Sequence, residues 1–269
     1  MSCVVYSNYS SNAVSKGEDA LKIAMLKTFE YLEKELEKDS ILSKEWRLTY
    51  KNFITLEEAF TYVKMRGATH TVFSTNFLFN DNDVFKDRRV VPDGGVIWLE
   101  NIKCPSKKFP LLFSEMKTQG TNKGRKEAGE EPQAEGNAID RLGKLTMFAL
   151  NLYEYDYIAP FVTFCSGCDF NFEGIFNTDE SAEDKEDKKN KKKNKKGSTG
   201  GKLVTLNGGF APFNTVYTTK NIPKNKRILP STIMAREEAF SVEEMFDILK
   251  EVGLDSFNNV RKNILKNSK

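Results

Sequence analysis

Pro92-Asp93-Gly94-Gly95-Val96-Ile97-Trp98-Leu99 and, after a short polar stretch, Phe109-Pro110-Leu111-Leu112-Phe113-Ser114-Glu115-Met116-Lys117 set the architecture of residues 91–141. Pro92 fixes its own φ and biases Val91 toward extended geometry, so Asp93 is expected at a turn entering a strand. Gly94 and Gly95 let the backbone bend there. The β-branched and aromatic run that follows fits a buried strand. Residues 103–108, with Pro105, read as a turn, and residues 111–117 as the return strand. Alternation along that strand places Phe113, Glu115 and Lys117 on one face. Asp93, Glu115 and Lys117 then converge at one end of the sheet. Two carboxylates and an ammonium in that position can bind Mg²⁺ through oxygen ligands, neutralise a scissile phosphate and help generate hydroxide. The Lys117 ammonium can orient or acidify the attacking water. The competing reading is a structural hairpin with a surface Glu and Lys, because Glu-x-Lys is common on solvated strand faces and Pro-Asp-Gly is common in turns. From these residues alone both readings stand.

Downstream, residues 118–135 combine glycines, charges and Pro132, a composition able to approach DNA closely or to order only on binding. Lys117, Lys123, Arg125 and Lys126 are expected to supply phosphate contacts. From about Ala138, the positions Ile139, Leu142, Leu145, Met147, Phe148, Leu150 and Leu152 read as a long helix. Asn137, Ala138, Asp140 and Arg141 fall in its first turn. A helix N-terminus offers free N–H groups to phosphate, and Asn and Arg side chains can meet purine edges. The alternative makes Asn137 an N-cap and Arg141 an ordinary surface residue.

Pro92-Asp93-Gly94-Gly95, Glu115-Met116-Lys117-Thr118-Gln119-Gly120 and Gly136-Asn137-Ala138-Ile139-Asp140-Arg141 occur in an order and spacing that resemble the EcoRI-type restriction endonucleases, members of the PD-(D/E)xK nuclease superfamily. Residues 159–164 and 166–170 resemble that family's next core strand and loop, and residues 244–248 its C-terminal helix. The resemblance implies a restriction-endonuclease-like α/β fold with a central mixed β-sheet flanked by helices. It implies Asp93 and Glu115 as Mg²⁺ ligands, the Met116 carbonyl as a further ligand and Lys117 as the catalytic lysine. It implies that Asn137, Ala138, Asp140 and Arg141 contact bases in the major groove of double-stranded DNA. The family usually carries Glu where this chain has Asp140, one methylene shorter. The resemblance further implies a type II enzyme: a homodimer that cuts a palindrome with an AATT centre, leaves 5′-phosphate ends and works beside a cognate DNA methyltransferase. Two rivals remain, a non-specific or repair-type nuclease with the same metal site and a non-catalytic DNA-binding protein on the same scaffold. The intact Asp93, Glu115 and Lys117 argue against the second.

The chain has 269 residues, 39% hydrophobic and 29% charged, which is compatible with one α/β domain or two small ones, and a single domain over residues 1–269 is expected. The net charge is +3, so a DNA-binding surface has to be local rather than global. No apolar run reaches the length of a membrane span, and the N-terminus lacks the features of a signal peptide, so a cytoplasmic location is expected. Four cysteines, including the pair Cys165 and Cys168, do not make a zinc site with a single histidine, His70. That lone histidine also argues against a Ser-His-Asp triad.

Ser15 with Glu18 fits a capping box opening a helix through Leu21, Met25, Phe29, Leu32 and Leu36. Thr55 with Glu58 signals a second helix that stops near Gly67. Residues 69–75 read as a strand and residues 76–86 as polar and turn-rich. Arg88 and Arg89 lie just before Asp93, within reach of phosphate. Residues 178–202 enclose an acidic and then lysine-rich run without large apolar residues, and the composition predicts a disordered charged insert. Residues 203–206 and 210–217 read as short strands or extended chain, and Lys220, Lys224, Lys226 and Arg227 as a basic patch. Ser241 with Glu244 caps a helix expected to stop at Gly253, and residues 254–265 are expected to form a last, separate helix.

Overall fold

Helix α1 (Ser11–Glu37) buries Leu21, Ala24, Met25, Thr28, Leu32 and Leu36 along one stripe, the spacing that a 3.6-residue period demands. The computed structural model describes residues 11–67, 88–118, 137–153, 156, 158–167, 170, 212–222 and 230–267. The expected capping box at Ser15 and Glu18 is corrected: the helix already runs at Ser11, one turn upstream. The preceding Ser11-Asn12-Ala13-Val14 holds neither Gly nor Pro, so nothing stops the helix from propagating. Helix α2 (Leu42–Glu45) follows, its start held by Asp39 Oδ1, which accepts from the Ile41 and Leu42 N–H groups at 3.0 and 3.0 Å.

Strand β1 (Trp46–Lys51) leads to a short β2 (Ile54–Thr55) and helix α3 (Leu56–Met65). Here the expected capping box forms. Thr55 Oγ1 accepts from the Glu58 N–H at 3.0 Å, and Glu58 Oε2 accepts from the Thr55 N–H at 3.0 Å. Beyond the helix end, Gly67 sits at φ +87°, as a left-handed stop requires. Strand β3 (Arg89–Val90) pairs with β2, and the Leu56 N–H donates to the Arg88 carbonyl at 2.9 Å, which ties the start of α3 to the approach to Pro92.

Strands β4 (Val96–Asn101) and β5 (Lys108–Thr118) form the expected hairpin, β5 starting earlier than its apolar run suggested. Helix α4 (Asn137–Leu152), strands β6 (Phe161–Ser166) and β7 (Thr232–Arg236), and helix α5 (Val242–Asn267) complete the described elements. The five-stranded sheet has the order β1-β4-β5-β6-β7. The pairs β1-β4 and β4-β5 are antiparallel, while β5-β6 and β6-β7 are parallel, so the sheet is mixed. A bulge between Ile97 and Trp98 falls opposite Pro110, which has no N–H to give to the ladder.

Both faces of β5 are covered. Leu112, Ser114 and Met116 face α1 and α5; a Cβ built on Gly253 of α5 would stand 3.3 Å from Leu112 and 3.3 Å from Leu32. On the other face, Phe113 stacks on Tyr153, which follows α4, with ring centroids 6.0 Å apart, and Tyr153 meets Tyr62 of α3 edge-on at 6.0 Å. The expected α/β class, a central mixed sheet flanked by helices, is the fold formed. The expected helix break at Gly253 is corrected: α5 runs through it without interruption. Gly253 is there because the helix packs closely against α1 and β5, not because a chain reversal needs it. The segment 212–217 is irregular chain with a turn at Phe213 and Asn214 rather than a strand; Asn214, at φ 57°, bridges to β7, donating from Nδ2 to the Ala235 carbonyl at 3.0 Å. The expected strand at 69–75, most of the loop at 118–135, the insert at 178–202, residues 203–206 and His70 lie outside the described residues. No helix among the described residues is long and apolar enough to cross a membrane.

Candidate active site

The site forms where β4 stops short. β4 begins at Val96, paired with Phe113, so Ser114 to Thr118 continue along β5 without a β4 partner. On its other edge β5 stays paired with β6 as far as Thr118. The Pro92-Asp93-Gly94-Gly95 turn fills the open edge. The Gly95 N–H donates to the Pro92 carbonyl at 2.9 Å, and the Gly94 N–H to the Ser114 carbonyl at 3.0 Å. Tyr50 of β1 donates its hydroxyl to the Gly94 carbonyl at 2.9 Å. Gly94 is required by close approach: a Cβ there would stand 2.0 Å from Ser114 Oγ and 3.0 Å from Leu21 Cγ of α1. Gly95 is required by conformation, with φ +74°.

This packing directs Asp93 at the exposed backbone of Met116. The Met116 N–H donates to Asp93 Oδ2 at 3.2 Å, and the Asp93 N–H donates to Glu115 Oε2 at 2.9 Å. The Lys117 ammonium closes the group. It donates to Asp93 Oδ2 at 3.4 Å, to the Met116 carbonyl at 3.1 Å and to Glu115 Oε1. The four residues singled out by the sequence as catalytic or metal-binding, Asp93, Glu115, Met116 and Lys117, therefore meet in one cluster.

The cluster is shielded: the side chains of Glu115, Lys117 and Asp93 are 7%, 15% and 23% exposed. Burial penalises the Glu115 charge and, with Asp93 repelling it, outweighs the pull of Lys117, so its carboxyl is pushed up to about 7. Burial also opposes the Lys117 charge, but Glu115 and Asp93 outweigh it and raise its pKa. Burial, the largest effect on each, adds to the rise at Glu115 and opposes it at Lys117, while the Asp93 charge raises both.

Oxygens of Asp93, Glu115 and Met116 all reach a single nitrogen, Lys117 Nζ, so three hard ligands already converge around one positive atom. That donor set fits a hard divalent cation such as Mg²⁺, which prefers oxygen and keeps part of its water shell. Among the described residues no group of three or more His, Cys, Asp or Glu gathers into a metal site, so water and substrate oxygens would have to complete the shell. Cys165 is fully buried, and burial pushes its thiol well up, which suits packing rather than chemistry. Its companion Cys168 lies outside the described residues.

The expected DNA-reading residues occupy a different element. In the first turns of α4, Ile139 and Leu142 are buried against Cys165, Phe213 and Ile233, which anchors the helix on the β6–β7 side of the sheet. Asp140 and Arg141 point outward and are exposed. Asn137 and Ala138 are helical in backbone. Lys123 and Arg125 lie outside the described residues. Arg89 is exposed, its guanidinium 4.2 Å from the centre of the Phe53 ring, near the turn that carries Asp93.

One neighbour of the site was not singled out by sequence. Glu18 of α1 lies in the electrostatic reach of both Asp93 and Lys117. Its signal was its place one turn before Leu21, on the buried stripe of the helix, but the Ser15-x-x-Glu18 spacing suggested a cap instead.

A family model described as Restriction endonuclease EcoRI matches residues 70–267, a span that holds the whole Asp93–Glu115–Lys117 cluster and α4 but not α1. No curated protein matches the chain.

Proposed function

The chain belongs to the EcoRI restriction endonuclease family, and from that membership we propose that it is a Mg²⁺-dependent type II enzyme cutting double-stranded DNA at a palindrome with an AATT centre. The observation that carries the reading is the convergence of Asp93, Glu115 and Met116 oxygens on one cationic position at the open edge of β5. A divalent cation, when bound, would supply positive charge to the scissile phosphate and lower the pKa of a water. Asp93 and Glu115 would hold it with their carboxylates, and Met116 with its backbone carbonyl. Lys117 keeps an ammonium beside the same oxygens, where it orients the attacking water and stabilises its deprotonated form. Attack is in line at phosphorus; the 3′ oxygen leaves and the ends carry 5′-phosphates. The low exposure of Lys117 and Glu115 strengthens these charge interactions over their value in water.

Base recognition falls to the first turn of α4. Asn137, Ala138, Asp140 and Arg141 read the major groove, where adenine offers an acceptor and a donor and Arg suits purine N7 or O6. Lys123 and Arg125 contact phosphates. A palindrome calls for a homodimer, one subunit per strand, and a cognate methyltransferase protects the host's own sites. A cytoplasmic location accords with that task.

The test is digestion of an unmethylated plasmid library with Mg²⁺, followed by sequencing of the ends. Discrete fragments whose ends share an AATT centre are expected. A smear would replace this reading by a non-specific nuclease, and another shared centre would overturn the target alone. Asp93→Asn and Glu115→Gln should each abolish cleavage while DNA binding, read by gel shift, stays within about threefold of wild type, because neither touches α4. Cleavage at near wild-type rate by either variant would displace the metal site.

A further inference from the structure

The oxygens that would hold a divalent ion are the ones that now hold Lys117. Its ammonium bonds to Asp93 Oδ2, Glu115 Oε1 and the Met116 carbonyl, and these supply the ligand set of the proposed metal site. Two cations cannot share them at full strength, so Lys117 gives up partners when the ion arrives. At 15% side-chain exposure, an ammonium left without an acceptor is penalised far more than in water.

Glu18 is the carboxylate placed to accept it. The first turns of α1 pack on the Met116 face of β5, beside its open edge. A Cβ built on Gly17 would stand 3.6 Å from Met116 Cγ and 3.7 Å from Thr118 Oγ1. One turn on, Leu21 lies 3.0 Å from the Cβ position of Gly94, next to Asp93. Glu18 sits between these contacts, half-buried. Burial and Asp93 raise its carboxyl, while Lys22 and Lys117 draw it down, so the charges of both site residues reach it. Lys22 itself lies on the solvent face, 4.0 Å from Asp19. Among the described residues Glu18 makes no hydrogen bond or ion pair of its own. A partly buried carboxylate without a bonded partner among the described residues, one turn from the Leu21–Gly94 contact beside Asp93 and within the charge reach of Lys117, is a receiver for an ammonium that must change partners.

We propose that Glu18 is a positioning residue that takes up the Lys117 ammonium when a divalent ion occupies the Asp93, Glu115 and Met116 oxygens, and so keeps the lysine beside the attacking water. The proposal rests on the metal-site reading above. It assigns a role to α1, which lies outside the span matched by the family model.

The experiment is a double-mutant cycle read by calorimetric titration of Mn²⁺ into the full-length, DNA-free protein. Glu18→Gln should weaken Mn²⁺ binding by roughly tenfold when Lys117 is present, the scale of a partner lost to a part-buried charge. In a Lys117→Met background, where no ammonium has to move, the same substitution should change affinity by less than about twofold. The metal-free Glu18→Gln protein should melt as wild type does, because among the described residues Glu18 makes no hydrogen bond or ion pair in that state. An equal loss in both backgrounds would make Glu18 a ligand of the ion and overturn the proposal. So would no loss in either, or a lowered melting transition without metal. A wild-type protein that binds no Mn²⁺, with Asp93→Asn indistinguishable from it, would remove the metal site and this proposal together. Binding that Asp93→Asn abolishes and Glu18→Gln leaves alone would remove this proposal only.

Discussion

Gly94 shows how one residue gives Asp93 its position. Ser114 Oγ and Leu21 occupy the space a side chain at 94 would need, so strand, turn and helix meet at van der Waals distance. Ser114 Oγ is buried and has no hydrogen-bond partner among the described residues, so it contributes bulk there rather than a bond. Gly94→Ala should therefore destabilise the protein by about 1–3 kcal/mol, the usual cost of overpacking, and reduce cleavage further by moving Asp93. Ser114→Ala alone should be close to neutral, since removing an unpaired buried hydroxyl forfeits no bond. The double substitution should recover part of the Gly94→Ala loss. Urea midpoints of the four proteins check this, and strictly additive effects would show that the two residues do not compete for one space. Asp93, Glu115 and Lys117 were legible because two local rules, Pro-Asp-Gly at a turn and alternation along a strand, bring them to one sheet end. Glu18 was not, because Asp93 and Lys117, whose charges reach it, lie about 75 and 99 positions away, and a local capping pattern explained it first.

Elements were legible where the signal was local. The Thr55–Glu58 capping box starts α3 as its spacing demands, and the continuous apolar run of β4 is buried throughout. They were misread where a tertiary contact assigns the residue its purpose. Gly253 has the composition of a helix stop, yet α5 continues through it, because a glycine lets the helix axis come close to Leu32 and Leu112. Gly253→Val decides between the two meanings. At a helix end facing solvent it would cost a few tenths of a kcal/mol. Inside a tight helix–sheet contact it should cost about 1–3 kcal/mol, because the added methyls meet side chains already 3.3 Å from a Cβ. A denaturation midpoint unchanged from wild type would mean that α1, α5 and β5 have more room than these distances allow.

Across the whole molecule, ion pairs join segments that no local pattern associates. Arg261 near the C-terminus bonds to Asp39 after α1. Glu58 of α3 accepts from Lys51 of β1 at 2.7 Å and from Lys108 of β5. Lys108 also lies 5.0 Å from the Trp98 ring centre, so the network rests on the core. Burial alone would raise the Glu58 carboxyl, but the hydrogen bonds from Lys108, Lys51 and the Thr55 N–H outweigh it and hold it near 2, against an ordinary 4.5. The sign follows from that depression. The folded state binds the Glu58 proton more weakly than the unfolded chain does, so Glu58 stabilises fully above pH 4.5 and the contribution is lost as pH falls through about 2. Solvent screening reduces the full linkage value to about 1 kcal/mol. Glu58→Gln keeps the size of the side chain and removes the charge. Other carboxylates titrate in the same range and cancel in the difference between wild type and variant. That difference in unfolding free energy should be flat above pH 4.5 and shrink toward zero near pH 2. A difference independent of pH would mean that Glu58 holds α3 to the sheet by shape rather than by charge.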